Sequence, residues 1–172
     1  MIRTTASTAV NLGIRIATFP LPETQKAVIY AANSGPGRLR AEPGAKISQQ
    51  EQDIADLLVR EGRDVVARAE PGRVHKERRS DFFVDGTRTE LKTVSNLTGG
   101  DMSAGLAGRI QSGVGQGAHI IIDARRQHGM TEAIANRAIR RAYGAFADRG
   151  DTRVQNIRVI GPDFDLRVPF NP

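Results

Sequence analysis

The chain has 172 residues, of which 26% are charged and 39% are hydrophobic, so it suits one globular domain with a short additional segment. The formal net charge of +6 favours a polyanionic partner such as nucleic acid. Cysteine is absent, which excludes disulfides and thiolate chemistry, and the three histidines do not have the spacing of zinc ligands. No run approaches the roughly 20 apolar residues of a membrane span.

The first 47 residues differ in composition from the rest of the chain. Prolines and glycines interrupt this stretch at Pro20, Pro22, Gly35, Pro36, Gly37, Pro43 and Gly44. The pattern predicts an irregular linker or adapter over residues 1–47, with a short helix over 23–33. Residues 48–172 are then expected to form the functional domain.

The predicted domain begins with a helix. Ser48 and Glu51 have the spacing of a capping box, and apolar residues at helical spacing follow until Gly62. A short strand is predicted over 64–68, and residues 71–80 are expected to form a basic loop.

A β-hairpin is predicted next. Residues 82–84 and 87–93 are strand-like, and only Asp85 and Gly86 separate them. Asp-Gly between two such segments is the strongest short-range hairpin signal.

The second half of the chain alternates between helix and strand. Helices are predicted over 103–112 and 131–146, and strands over 119–123 and 156–160. A strand, a helix and a strand at this spacing indicate a parallel βαβ unit. The predicted fold class is therefore α/β, with a mixed central sheet flanked by helices.

The hairpin places three ionisable residues on one face of the sheet. Its register pairs Phe82 with Thr89, so the next pair is Asp81 with Glu90, and Lys92 projects from the same face as Glu90. Opposed carboxylates repel each other unless a cation lies between them, and Mg²⁺ commonly binds one or two carboxylates. Such an ion can activate a water for attack on a phosphodiester, and Lys92 can stabilise the developing charge.

Glu51 is a further candidate. It aligns with Ile54 and Leu58 at helical spacing, so it tends toward the buried side of its helix and could supply another metal ligand. Each residue also has a structural alternative. Glu51 could act only in the capping box, Asp81 could end a strand, and Glu90 with Lys92 could be solvated polar alternation.

The predicted loop over 71–80 carries a cluster of basic residues that leads into Asp81. Phosphate contacts from these side chains would give salt-dependent affinity with little sequence preference. A solvated loop is the alternative. The candidates for nucleic-acid binding are Arg73, His75, Lys76, Arg78 and Arg79.

Glu51, Asp81 and the pair Glu90 and Lys92 together resemble the PD-(D/E)xK nuclease superfamily, over about residues 48–160. Ser80 stands where the proline of the family's name would be. The resemblance implies a restriction-endonuclease-like core and a phosphodiesterase that uses Mg²⁺, or Mn²⁺ or Zn²⁺ in its place. It further implies metal ligation by Asp81, Glu90 and Glu51, with Lys92 as the catalytic lysine and Glu51 as the auxiliary acid.

Residues 51–93 and 116–123 are also similar to the C-terminal nuclease domains of contact-dependent growth inhibition toxins. Such domains often cleave tRNA and are neutralised by a small immunity protein. The resemblance implies an RNA endonuclease with a cognate immunity protein, and we expect the chain to be a monomer. It also implies secretion or delivery as part of a large bacterial surface protein, with action in the cytoplasm of the target cell.

Three alternatives to this interpretation stay open. A DNA endonuclease of the restriction, repair or junction-resolving type would use the same site. A non-catalytic nucleic-acid-binding module would use the basic residues alone. An adapter domain of a large surface protein would use neither.

Overall fold

A mixed β-sheet with helices on both faces forms the fold. The computed structural model describes residues 37–69, 82–97 and 101–170. Within them the strands are β1 (Arg38–Ala41), β2 (Asp64–Ala67), β3 (Phe82–Val84), β4 (Thr87–Thr93), β5 (His119–Asp123), β6 (Asn156–Ile160) and β7 (Asp165–Pro169). The helices are α1 (Gln49–Arg60), α2 (Met102–Ser112) and α3 (Glu132–Asp148). The predicted α/β class with a central mixed sheet is confirmed.

The seven described strands lie in the sheet in the order in which they occur in the chain. All of them except β3 and β7 run in the same direction. The carboxyl ends of β2, β4, β5 and β6 therefore lie at one end of the sheet, where β3 begins. We call this the C-terminal end of the sheet.

The two faces of the sheet pack against different helices. In β5, Ile121 belongs to a core that includes Ile54 and Leu58 of α1, whereas Ile120 and Ile122 belong to a core with α2 and α3. We call these the α1 face and the α2 face. None of the described helices is both long enough and apolar enough to cross a membrane.

The first helix begins and ends where the sequence predicts. The Ser48 hydroxyl accepts a hydrogen bond from the backbone N–H of Glu51 at 3.3 Å, and Glu51 Oε2 accepts one from the N–H of Ser48 at 2.7 Å. This reciprocal pair satisfies two donors that the first turn of a helix leaves free. After the helix, Gly62 adopts a φ of +80°, a conformation that glycine accepts without strain.

The predicted hairpin is confirmed, including its register. The turn residues Asp85 and Gly86 have φ values of 49° and 77°. A type I′ turn requires a positive φ at both of its central residues. The observed pairs are Phe82 with Thr89, Phe83 with Arg88 and Val84 with Thr87. Asp81, the next residue in this register, lies outside the described residues, so its pairing with Glu90 stays a prediction.

The two outer strands were not predicted. Residues 38–41 fall within the stretch expected to be irregular, and they instead pair in parallel with β2. That part of the prediction for residues 1–47 is wrong, because an exposed edge strand pairs on one side only and need not alternate apolar and polar residues. β7 was missed because it is short and ends at Pro169, although Leu166 and Val168 are buried.

The predicted helix over 23–33 and the predicted basic loop over 71–80 both lie outside the described residues. The remaining elements of the second half of the chain agree with prediction. β5 and β6 are parallel neighbours joined through α3, which confirms the predicted βαβ unit.

A buried ionic network joins the end of α1 to β6 and β7 on the α1 face. Arg158 of β6 is 5% exposed and donates hydrogen bonds to Glu61, which caps α1, and to Asp165 of β7. Arg167 also reaches both carboxylates, at 3.2 Å. Burial acts to raise the pKa of Asp165, but the hydrogen bonds and charge of the two arginines bring this pKa below its usual value.

This network predicts a specific dependence of stability on pH. Because the folded-state pKa of Asp165 lies below its unfolded value of 3.8, its contribution is complete above that value and is lost as the pH falls through the folded-state pKa. We expect Asp165→Asn to show a smaller loss of unfolding free energy than the wild type between about pH 6 and about pH 3. Urea denaturation measures this, with Asp148→Asn as the control. An Asp165→Asn profile parallel to that of the wild type would contradict the assignment.

Candidate active site on the central strand

Glu90 and Lys92 lie together on the α2 face of β4. Glu90 is only 3% exposed, because β3 and β5 flank its strand and the end of α2 covers it. Lys92 Nζ donates a hydrogen bond to Glu90 Oε1 at 2.7 Å, and the Lys92 side chain is 20% exposed. The pair therefore places a cationic group between a buried carboxylate and the surface.

Glycines allow the loop after α2 to approach β4 closely. A Cβ atom on Gly113 would lie 3.4 Å from Glu90 Cγ and 3.2 Å from a methyl group of Ile120. A Cβ atom on Gly117 would lie 2.9 Å from both the Arg88 carbonyl oxygen and the Glu90 nitrogen. Because real Cβ atoms do not approach backbone atoms this closely, only glycine at 117 brings this loop against the carboxylate.

Gln116, in the same loop, is the second side chain that contacts the pair. In one orientation of its amide, Lys92 Nζ donates to Gln116 Oε1 at 3.5 Å. In the other, the amide nitrogen donates to Glu90 Oε1 at 2.8 Å and to the Ser112 carbonyl at 3.2 Å. We assign the second orientation, because two hydrogen bonds of good length outweigh one at the limit of the range.

The other carboxylate oxygen of Glu90 is unsatisfied. Oε2 is buried and accepts no hydrogen bond from any described residue. Buried carboxylate oxygens normally have partners, because an unsatisfied one loses its hydration without compensation. An oxygen of this kind suits a ligand of a divalent cation, which supplies the missing positive charge.

The described residues contain only part of the predicted metal site. No group of three or more His, Cys, Asp or Glu side chains within them could hold a metal ion. Asp81, the predicted second ligand, lies outside the described residues. The same is true of the five basic candidates Arg73, His75, Lys76, Arg78 and Arg79. The Glu90 carboxylate fits a metal ligand, and the complete ligand set stays a prediction.

Glu51 lies apart from the Glu90–Lys92 pair. It is half-buried at the start of α1, where its carboxylate accepts the N–H of Ser48. It lines a surface pocket of about 340 Å³ together with Lys46, Ile47, Ser48, Ala67, Arg68 and Phe82. Within the described residues, Glu51 forms no hydrogen bond or ion pair with Glu90 or Lys92, so its role as an auxiliary acid stays a prediction.

The pocket of Glu51 nevertheless lies at the same end of the sheet as Lys92. Ala67 ends β2 and Phe82 begins β3, and both belong to the core on the α1 face. Lys92 precedes the last residue of β4, which is antiparallel to β3. Glu51 and Lys92 thus approach the C-terminal end of the sheet from opposite faces.

Sequence reasoning missed Gln116 as a site residue. The sequence does contain a signal, because glycines surround Gln116 at positions 113, 115 and 117. Such glycines indicate that the backbone of the loop lies close to another part of the chain. Nothing in the pattern shows which strand the loop approaches, because the contact joins residues 26 positions apart, from 90 to 116.

Comparison with known proteins gives one similar structure. No family model matches the chain, and no curated protein matches it. A chain of a CdiA-CT/CdiI toxin and immunity complex from Burkholderia pseudomallei is similar, with 13% sequence identity and a TM-score of 0.48. The match covers 77% of this chain and 100% of that chain. Values this low establish neither a family nor a function.

From the burial of Glu90 and its unsatisfied oxygen we predict that Glu90→Gln and Lys92→Met differ in their effect on stability. Glu90→Gln removes a buried charge, and Lys92 is exposed enough to be solvated, so we expect a change in unfolding free energy within about 1 kcal/mol, in either direction. Lys92→Met leaves the buried carboxylate without its cation and should cost about 3 kcal/mol. Chemical denaturation in EDTA measures both. A larger loss for Glu90→Gln than for Lys92→Met would show that the carboxylate serves stability.

Proposed function

We propose that this chain is a divalent-metal-dependent endonuclease that hydrolyses phosphodiester bonds of RNA, with tRNA as the preferred substrate. One observation carries the proposal, namely the state of Glu90. Its carboxylate is buried in the central strand, is bonded through Oε1 to Lys92, and has an Oε2 that accepts no hydrogen bond from the residues that the structure describes.

A structural role explains this arrangement poorly. A buried ion pair adds little net stability, and well-packed apolar residues of the same volume often do as well or better. A carboxylate that is buried and only half satisfied is the kind of local exception that occurs at functional sites. The arrangement therefore supports a role in binding or catalysis.

Glu90 and Asp81 would hold the metal ion, with Glu51 contributing directly or through a water. Mg²⁺ suits such a site because it binds few carboxylates and retains several waters, and Mn²⁺ or Zn²⁺ could replace it. When bound, the ion would supply an activated water and neutralise negative charge on the phosphate.

Lys92 supplies the positive charge that the chain itself holds at the site. In hydrolysis, the oxygen of a water forms a bond to phosphorus while one bridging P–O bond breaks. The water loses a proton and the leaving oxygen gains one. Lys92 Nζ has three N–H donors, and the Glu90 contact uses one of them. The others can orient the incoming water or stabilise charge on the phosphate oxygens.

Gln116 is a positioning residue in this proposal. Its amide connects Glu90 Oε1 to the carbonyl of Ser112 at the end of α2. This contact fixes the rotation of the carboxylate, so that Oε2 keeps its direction while Oε1 holds Lys92. Residues that hold a reacting group in place influence the rate more than substrate affinity.

The preference for tRNA and the biological role rest on the sequence resemblance. Residues 51–93 and 116–123 are similar to nuclease domains of contact-dependent growth inhibition toxins, and the net charge of +6 suits an RNA substrate. On this basis the chain acts as a toxin in competition between bacteria. It would be delivered as part of a large surface protein and neutralised by a small immunity protein. An acidic immunity protein would suit its charge.

A cleavage assay tests the proposed activity. The wild type, Glu90→Gln and a control, Glu132→Gln, are incubated with total tRNA and separately with plasmid DNA, in Mg²⁺ or in EDTA. We expect cleavage of tRNA that requires Mg²⁺. It should be abolished in Glu90→Gln and retained in Glu132→Gln, because Glu132 lies at the start of α3, away from β4.

Each outcome of this assay has a distinct meaning. Metal-dependent cleavage of plasmid DNA but not tRNA would contradict the RNA preference and support the alternative DNA endonuclease. Salt-sensitive tRNA binding without cleavage would favour a non-catalytic module. Cleavage of tRNA by Glu90→Gln at the wild-type rate would overturn the assigned site.

Steady-state kinetics test the positioning role of Gln116. We expect Gln116→Ala to lower kcat roughly tenfold while KM for tRNA changes little, because the residue orients Glu90 and does not contact the substrate. The control is Gln111→Ala, which removes the same amide from α2. A rise in KM with unchanged kcat would instead assign Gln116 to substrate binding.

A further inference from the structure

The pocket that Glu51 lines also contains two cationic side chains. We call it the Lys46–Arg68 pocket. Ala67 and Phe82 contribute apolar surface, and the volume of about 340 Å³ is ample for a phosphate group. Apolar walls lower the local dielectric constant, so charged side chains in such a pocket interact more strongly with an anion than they would in open water.

Arg68 has donors that the described structure does not use. Its side chain is 13% exposed, and its buried Nε has no hydrogen-bond partner among the described residues. Glu42 forms an ion pair with Arg68 at 3.9 Å from Nε, which is too long for a hydrogen bond, and its other oxygen accepts the N–H of Ala69. A guanidinium held this way is prepared for an anion that supplies the missing acceptors.

One of the two cations has no ion-pair partner among the described residues. Lys46 is exposed and forms no ion pair with any residue that the structure describes. Glu51 supplies the opposing negative charge, and one of its oxygens is already occupied by the N–H of Ser48. Arg68 has Glu42 at 3.9 Å but forms no hydrogen bond with it, so both cations retain donors that an anion could use.

Arg68 connects this pocket to the face that carries the active-site pair. Its guanidinium lies 4.6 Å from the centre of the Phe83 ring. Because Phe83 alternates with Phe82 and Val84 of the α1-face core, its ring projects toward the opposite face, which also carries Glu90 and Lys92. Arg68 thus contacts both the pocket beside α1 and a side chain of the opposite face, at the C-terminal end of the sheet.

We infer that Lys46 and Arg68 bind a backbone phosphate of the nucleic-acid substrate, at a position away from the bond that is cleaved. This inference rests on the proposed function, because it assumes that the same polynucleotide reaches Lys92. The site would hold the substrate in register through charge and hydrogen bonds to phosphate, with no reading of bases. It would recognise a phosphodiester of RNA, and free phosphate would occupy it only weakly.

Binding at different salt concentrations tests the inference. Affinity for fluorescently labelled tRNA is measured in EDTA, in the Glu90→Gln background, with Lys46→Ala, Arg68→Gln or Arg137→Ala added. Each phosphate contact contributes roughly 0.7 to 0.9 to the slope of log K against log salt. We expect Lys46→Ala and Arg68→Gln each to reduce the magnitude of this slope by roughly the value of one contact. Each should also weaken binding severalfold at low salt.

Arg137→Ala is the matched control, because it removes one exposed positive charge from α3. Lys46 is exposed, so its removal does not threaten folding, and circular dichroism checks the fold of Arg68→Gln. Addition of inorganic phosphate at equal ionic strength separates the two sources of the anion. Strong competition would show a free-phosphate site and overturn the assignment to a backbone phosphate.

The outcomes separate this inference from the proposed function. An unchanged salt slope in both Lys46→Ala and Arg68→Gln overturns the phosphate site, even if tRNA cleavage depends on Glu90. A reduced slope without any cleavage by the wild type supports the phosphate site and contradicts the nuclease. Failure of the Glu90→Gln protein to bind tRNA at low salt also overturns the inference.

Discussion

Burial of a carboxylate in the central strand is the constraint on which the candidate site depends. Glu90 lies between two neighbouring strands and below the end of a helix, where water cannot solvate it fully. Its charge is tolerable there because Lys92 and Gln116 reach one oxygen, and Gln116 reaches it only because the loop around it is rich in glycine. These contacts leave Oε2 without a partner among the described residues, and such an oxygen suits a cation ligand.

The ionic network of Arg158 provides a comparison within the same sheet. Arg158 is as deeply buried as Glu90, yet its guanidinium donates to two carboxylates that also accept from Arg167. This network joins α1 to β6 and β7, and all four carboxylate oxygens of Glu61 and Asp165 accept hydrogen bonds, although the buried Nε of Arg167 has no partner among the described residues. The contrast shows that burial of charge does not by itself distinguish the two sites. The sites differ in that a carboxylate oxygen is unsatisfied at Glu90, whereas every carboxylate oxygen of the network accepts a hydrogen bond.

Local signals predicted the parts of the fold that local chemistry decides. Asp85 and Gly86 specify the hairpin through their positive φ values, and the capping box at Ser48 specifies the start of α1. The connection from β1 through α1 to β2 was beyond such reasoning. It crosses the sheet in the same direction as the connection from β4 through α2 to β5, but α1 and α2 cover opposite faces. The two connections therefore have opposite handedness. Gln116 was missed because its role depends on a contact between distant segments. The pairing of Asp81 with Glu90 stays a prediction from the hairpin register.

The separation of the charged groups constrains the kind of ligand. The Lys46–Arg68 pocket lies at the start of α1, whereas Lys92 lies on the α2 face of β4. A small anion could occupy only one of these two positions. A polynucleotide carries a phosphate at every residue and can follow the end of the sheet from one face to the other, contacting each cation in turn. For the proposed nuclease, the distribution of positive charge therefore favours an extended polyanion over a mononucleotide as the substrate.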